Sequence, residues 1–241
     1  MKKLCLALSL AALFGTASAK DLYSSADTHP YSILGLSLAN PIQLPPAHWS
    51  IAGLRANVFY GRNYDVFGID VGLVGRCDDD FIGLQAEAAN WVDGDMFGLQ
   101  LGALFNVVNG DARGLQLGVF ANRVHNAFAG LQLALVNHDG AFFGGQLGLV
   151  NWDKGISAGV QIGLANASLN EFSGWSFGVV NYAVRQSGMQ FGVVNVVNET
   201  GTGLQFGVFN AAPKFEGLQI GLINVIGNAE IPVMPVVNAN F

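Results

Sequence analysis

The chain has 241 residues, 51% of them hydrophobic and only 12% charged, with a formal net charge of −6, against roughly 25% charged in ordinary globular domains. Beyond the first nineteen residues no stretch of eighteen apolar residues occurs, which excludes a transmembrane helix and leaves two homes for so apolar a chain: a membrane β-barrel or a tightly stacked β-solenoid. The basic residues are scattered and the Rossmann and P-loop fingerprints are absent, so nucleic acid is set aside as a partner.

Residues 1–19 read as a secretory signal peptide. Lys2 and Lys3 form the basic n-region, residues 4–14 the apolar h-region, and Ala17-Ser18-Ala19 an A-x-A cleavage site, so the exported chain starts near Lys20. Cys5 lies inside this segment and is not a lipoprotein cysteine. Cys77 is then the single thiol of the exported chain, which leaves no internal disulfide and places stability on sheet and packing. The expected location is the outer membrane or cell surface, with the periplasm as the alternative.

Residues 20–241 read as a single repeat-built β domain: lead-in strands over 20–66, eleven repeats over 67–225, and a C-terminal strand over 226–241. In the lead-in, residues 32–39 and 50–60 alternate as two strands, separated by the Pro-bearing turn of residues 40–46. The repeats follow. Clear copies are Gly188-Met-Gln-Phe-Gly-Val-Val-Asn195, Gly203-Leu-Gln-Phe-Gly-Val-Phe-Asn210 and Gly217-Leu-Gln-Ile-Gly-Leu-Ile-Asn224. Others start at Gly174, Gly159, Gly144, Gly130, Gly114, Gly98 and Gly83, with a degenerate first copy at Gly68 and spacings of fourteen to sixteen residues. The copies ending at Asn106 and Asn122 are one residue longer, which from sequence looks like a β-bulge.

Within a copy the period is two. Leu204, Phe206 and Val208 share one face while Gly203, Gln205 and Gly207 share the other, the signature of a strand; so much glycine would melt a helix. Turn-forming stretches such as Asp93-Gly94, Asn109-Gly110, Asp139-Gly140 and Asp153-Lys154-Gly155 separate the copies.

Two architectures fit this unit. The expected fold is all-β, an antiparallel up-and-down barrel or barrel-like meander of about fourteen short strands, with Leu, Phe and Val facing lipid and Gln and Gly facing a lumen. The alternative is a β-solenoid with one repeat per rung, its Asn and Gln stacked in ladders. Two features favour the meander. Trp91, Trp152 and Tyr182 follow the terminal Asn only in even copies, and Arg123, Lys154, Arg185 and Lys214 fall in even turns, as on a sheet with two distinct edges in a bilayer. Phe67, Phe81, Phe97, Phe128, Phe143, Phe172 and Phe215, just before the repeat glycine, suit aromatic girdles. Against closure, Pro232 and Pro235 in the last strand belong at an edge or a strand start.

The lead-in Ser50-Ile-Ala-Gly-Leu-Arg-Ala-Asn-Val-Phe-Tyr-Gly-Arg62, then Asp65-Val-Phe-Gly-Ile-Asp-Val-Gly-Leu-Val74, then serial Gly-Leu-Gln-x-Gly-x-x-Asn, resembles a group of uncharacterised bacterial surface-repeat proteins and, more generally, outer-membrane β-barrels. The resemblance implies export and an envelope location, and no activity or functional residues. The copy at Gly83 departs from it by placing Glu87 where Gly is usual.

Candidate chemistry is sparse. Asp78-Asp79-Asp80 lacks the spaced ligands and glycine of a calcium loop and reads as a solvated loop. His29, His48, His125 and His138 show no metal-ligand spacing, and Cys77 beside the acidic run has its thiolate disfavoured. Glutamines 85, 100, 116, 132, 146, 161, 190, 205 and 219 either line a hydrophilic path or bond one another and fill the interior. No catalytic, cofactor-binding or metal residue is assigned, and no cofactor. The expected function is a non-catalytic outer-membrane or surface protein with a structural or passive pore-like role and the lipid bilayer of the outer membrane as partner. The alternative is a surface or periplasmic β-solenoid acting as an adhesion or interaction scaffold.

Overall fold

The computed structural model describes residues 29–241, so the signal-peptide reading of residues 1–19 lies outside the described residues. Eighteen strands, from Tyr31–Ala39 to Val233–Asn240, form one continuous hydrogen-bonded ladder. Successive repeats pair parallel and in register: Gly83 lies over Gly98, Gln85 over Gln100 and Asn90 over Asn106, and the same matching continues through Asn210 over Asn224. The fold is therefore a β-solenoid of about 13 coils, and the antiparallel barrel or meander of about fourteen strands is overturned. The physical reason is that identical amides stack in register only when every coil runs the same way. An alternation of period two, which both architectures share, does not carry strand direction.

One coil shows the cross-section. Met96–Gly102 runs along one side of the rung in pairing with residues 112–118, the chain bends at Ala103 and Leu104, and residues 105–108 return along the second side in pairing with residues 121–124. The turn Asn109–Gly110–Asp111 leads into the next coil. The extra residues before Asn106 and Asn122 sit at the bend, where the register shifts between Glu87 and Ala89, so they widen a corner rather than bulge a flat strand. Because every turn is reached after one full coil, all turns lie on one edge. The contrast between even and odd turns thus does not mark two edges.

The repeat glycine holds the closest approach between coils. All eleven, from Gly68 to Gly217, have φ between 117° and 145°, a region costly for residues with a Cβ. At Gly98 an added Cβ would stand 2.1 Å from the carbonyl oxygen of Gly83 one coil away.

Both ends are capped. Tyr31–Ala39 pairs parallel with Ser50–Asn63, and Ile42–Leu44 folds back antiparallel on Tyr31–Ala39. At the other end Val233–Asn240 pairs antiparallel with Lys214–Ile226. Among the described residues that last strand is paired on one side only, the edge setting in which Pro232 and Pro235 are tolerated.

Candidate functional site

The interior is polar where a barrel reading puts a lumen. Every repeat Asn from Asn90 to Asn224 and all nine repeat glutamines are buried. The asparagines form one ladder. Asn106 Nδ2 donates to Asn122 Oδ1 at 2.8 Å and to the Leu117 carbonyl at 3.0 Å, and the pattern recurs at Asn166, whose Nδ2 donates to Asn181 Oδ1 and to the Phe177 carbonyl. Glycines such as Gly178 clear the room, since a Cβ there would meet Asn166 Nδ2 at 2.8 Å. The glutamines form a second ladder in which Gln100 Nε2 donates to Gln85 Oε1 at 2.9 Å and Gln219 to Gln205. Asn donors point towards the C-terminal end and Gln donors towards the N-terminal end, so the two rows of amide dipoles oppose one another. Stacked in this way the amides satisfy themselves without water, which buried polar groups require. They fill the interior and leave no lumen. Ser176 replaces Gln in one coil and interrupts the ladder.

A directional ladder needs an acceptor at its donor end. Gln85 Nε2 donates to Asp70 Oδ2 at 2.9 Å, and Asp70 is clamped by Arg55 through Nε–Oδ1 at 2.7 Å and Nη2–Oδ2 at 2.5 Å, both side chains fully buried. Burial opposes the Arg55 charge, but the Asp70 carboxylate more than compensates and holds the guanidinium above its ordinary value. Asn57 Nδ2 bridges Asp70 Oδ1 and Glu87 Oε1. Burial, then the Asp70 charge, pushes Glu87 up to about 9, so its carboxyl is neutral at pH 7. At the opposite ladder ends Gln219 Oε1 and Asn90 Oδ1 have no partner among the described residues.

Asp139 and Asp153 are two acids that sequence reasoning placed in turns; both are fully buried in successive coils. They occupy the inward column held by Val92, Val108 and Val124 in earlier coils. Aligning that column, two residues beyond each Asn, was the available signal. Gln132 and Gln146 donate to Asp139 at 3.0 and 2.7 Å, and Gln161 donates to Asp153 Oδ2 at 2.5 Å. Burial raises both; Asp153 reaches about 7, and Asp139, also facing the Asp153 charge, stands well above the usual range.

The phenylalanines divide into two columns. Phe81, Phe128, Phe142, Phe172 and Phe215 are buried core, while Phe143 in the adjacent outward column is exposed, so they do not form a single girdle. Cys77 is buried, and burial first, more than neighbouring charge, pushes its thiol up. His29 stacks on Tyr64 and His138 packs at an angle against Trp152. Asp78 is paired with Arg62 and Arg76. Asp80 Oδ1 accepts the Asp95 amide at 2.9 Å, and burial, then neighbouring aspartates, lifts Asp80 to about 6. The described residues hold no group of three or more His, Cys, Asp or Glu placed to take a metal ion.

The exterior is divided lengthwise. One edge carries the polar turns. The opposite edge, where each coil bends, is apolar: Leu104, Val119, Leu135, Leu149, Leu164, Val179, Val193, Val208 and Leu222 succeed one another, each 42–68% exposed. Comparison with known protein families, curated proteins and solved structures finds no match.

Proposed function

We propose that the chain is an exported β-solenoid that serves as a non-catalytic adhesion or interaction scaffold at the cell surface or in the periplasm. One observation carries this reading: the coil interior hardly changes, while the turn edge changes at every coil. Inward positions repeat Gly, Gln and Asn, whereas the turns run Asn109-Gly110-Asp111, His125-Asn126-Ala127, Leu169-Asn170-Glu171 and Asn198-Glu199-Thr200. Solenoids work through such extended outer surfaces rather than through a central cleft. An interior filled by amide ladders supports a scaffold over a passive pore.

Export to the surface is tested by placing a cysteine in a turn (Asn109→Cys or Asn198→Cys) and treating intact cells with a membrane-impermeant maleimide. The native Cys77 is buried and supplies the blank. Labelling of both variants on intact cells is expected for the surface, and labelling only after outer-membrane permeabilisation for the periplasm. Labelling only after complete lysis defeats the reading.

A further inference from the structure

We propose that the apolar edge of the solenoid seats in the hydrocarbon surface of a lipid bilayer, with the coil axis parallel to the membrane and the turn edge in water. The proposal names a partner for the scaffold and rests on that reading only for access to a membrane.

The first support is the extent of the apolar band. From Gly83 onward the outward position after each repeat glycine is Leu84, Leu99, Leu115, Leu131, Gly145, Val160, Trp175, Met189, Leu204 and Leu218. Two residues further lie Ala86, Leu101, Leu117, Leu133, Leu147, Ile162, Phe177, Phe191, Phe206 and Ile220. The bend adds the pairs Leu135-Val136, Leu149-Val150, Val179-Val180 and Leu222-Ile223. No charged side chain interrupts these columns, and the Trp175 indole N–H is their single hydrogen-bonding side-chain group. Ten coils spaced ~4.8 Å apart make a band on the order of 50 Å long, the width of the end coils included. Its exposed area is on the order of 1,000 Å² or more, beyond the ~300–600 Å² of the largest patch on a typical soluble monomer.

The second support is the backbone. Hydrocarbon tolerates a bend only where its polar groups are bonded within the protein. Here they are: Gly148 N donates to the Ile162 carbonyl, Leu149 and Val150 N to Leu135, and Leu164 and Ala165 N to Leu149.

The third support is the boundary. On the returning side of the coil, between the apolar bend and the charged turns, one column holds Arg76, Trp91, Arg123, His138, Trp152 and Tyr182, with Val107 and Ala167 among them and apolar residues from Val196 onward. Trp91 Nε1 donates to Asp93 Oδ1 at 2.8 Å and the Arg76 guanidinium stands 5.9 Å from the Trp91 ring. Aromatic rings with a polar tip and long basic side chains are the residues that sit at headgroup level.

Shape chooses lipid over a second copy. The band wraps a convex corner and continues onto the flank, so a rigid partner covers only one of its two planes. Contact along the ridge, ~50 Å by under ~10 Å, is short of the ~800 Å² per partner of a standard protein interface. Fluid hydrocarbon follows the curve. A groove of about 840 Å³ runs along the band between Leu101, Leu117 and Leu133 on one wall and Val119, Leu135 and Leu149 on the other, floored by Gly102, Gly118 and Gly148. It is shaped for an acyl chain lying along the coil axis.

The test is flotation of the purified chain with phosphatidylcholine vesicles. Most of the protein is expected to float, equally at low and high salt, because the contact is apolar. Leu135→Asp, Leu149→Asp and Leu164→Asp together are expected to lower the bound fraction at least tenfold. Three acids on the turn edge (Asn198→Asp, Thr200→Asp, Lys214→Asp) leave it unchanged. Should the band variant fail to fold, the unmodified chain still decides: brominated acyl chains are expected to quench its tryptophan fluorescence, and Trp175→Phe to remove most of that quenching. A chain that stays at the bottom of the gradient unquenched, or a dimer that the band substitutions turn into a monomer, overturns the proposal. Vesicle binding reports on the edge alone and intact-cell labelling on export, so the two readings fail separately.

Discussion

Raising the pH from 4 to 8 is expected to destabilise the solenoid, with Asp153 a principal cause. Its carboxyl is fully buried, and burial holds it at about 7 against an ordinary 3.8. Well below 3.8 both folded and unfolded chains keep the proton, so the group contributes no difference. Between pH 4 and 7 the unfolded chain releases it while the folded chain holds it, so the unfolded state is favoured progressively and stability falls with rising pH. The gap between about 7 and 3.8 corresponds to a total of about 4 kcal/mol. Asp153→Asn removes this dependence. One of the donors Gln146 and Gln161 then meets an amide NH₂, at a cost of ~1–3 kcal/mol. The net gain expected for the variant at pH 8 is therefore about 1–3 kcal/mol, with a small loss at pH 4. Urea unfolding of both proteins from pH 4 to 8 measures the difference directly. His138, whose protonated form burial disfavours, adds a trend of opposite sign that cancels in the comparison. A stability difference that does not change with pH refutes the assignment of a raised Asp153.

Three substitutions probe the remaining devices of the fold. Gly174→Ala places a Cβ 2.0 Å from the Gly159 carbonyl at a φ of 145°, and is expected to lower stability by about 3 kcal/mol or more in urea unfolding. Asn166→Leu removes the acceptor for Asn151 and the donor for Asn181 and the Phe177 carbonyl; a loss of about 3 kcal/mol or more is expected, against under ~0.5 kcal/mol for the exposed Asn198→Leu. Arg55→Met leaves the Asp70 carboxylate buried without its cation and is expected to cost about 3–5 kcal/mol by thermal unfolding; adding Asp70→Asn recovers more than half. A double variant no better than Arg55→Met alone shows that packing, not charge, holds the ladder cap.

The repeat, its length and the parity of its faces are legible in residues such as Gly203, Leu204 and Gln205, because backbone alternation is a local property. The lead-in strands and the edge character of the proline-bearing last strand follow from equally local rules. The Asn and Gln ladders were readable as one of two alternatives, and Glu87 as an acid on the Gln face. Asp139 and Asp153 were hidden because an Asp beside Gly140 or Lys154-Gly155 has the chemistry of a turn. Their burial shows only in the column they share with Val92 and Val108 across coils.

By itself the sequence determined an all-β, glycine-punctuated unit of about fifteen residues with one polar and one apolar face. Tertiary structure alone decided that successive units run parallel, that the polar face is the inside, and that all turns share an edge. The reason is energetic and non-local. An Asn or Gln side chain is costly to bury alone, but stacked on its equivalent one coil away it is bonded on both sides, as Asn166 is between Asn151 and Asn181. That compensation exists only between coils, and it turns the apolar face outward.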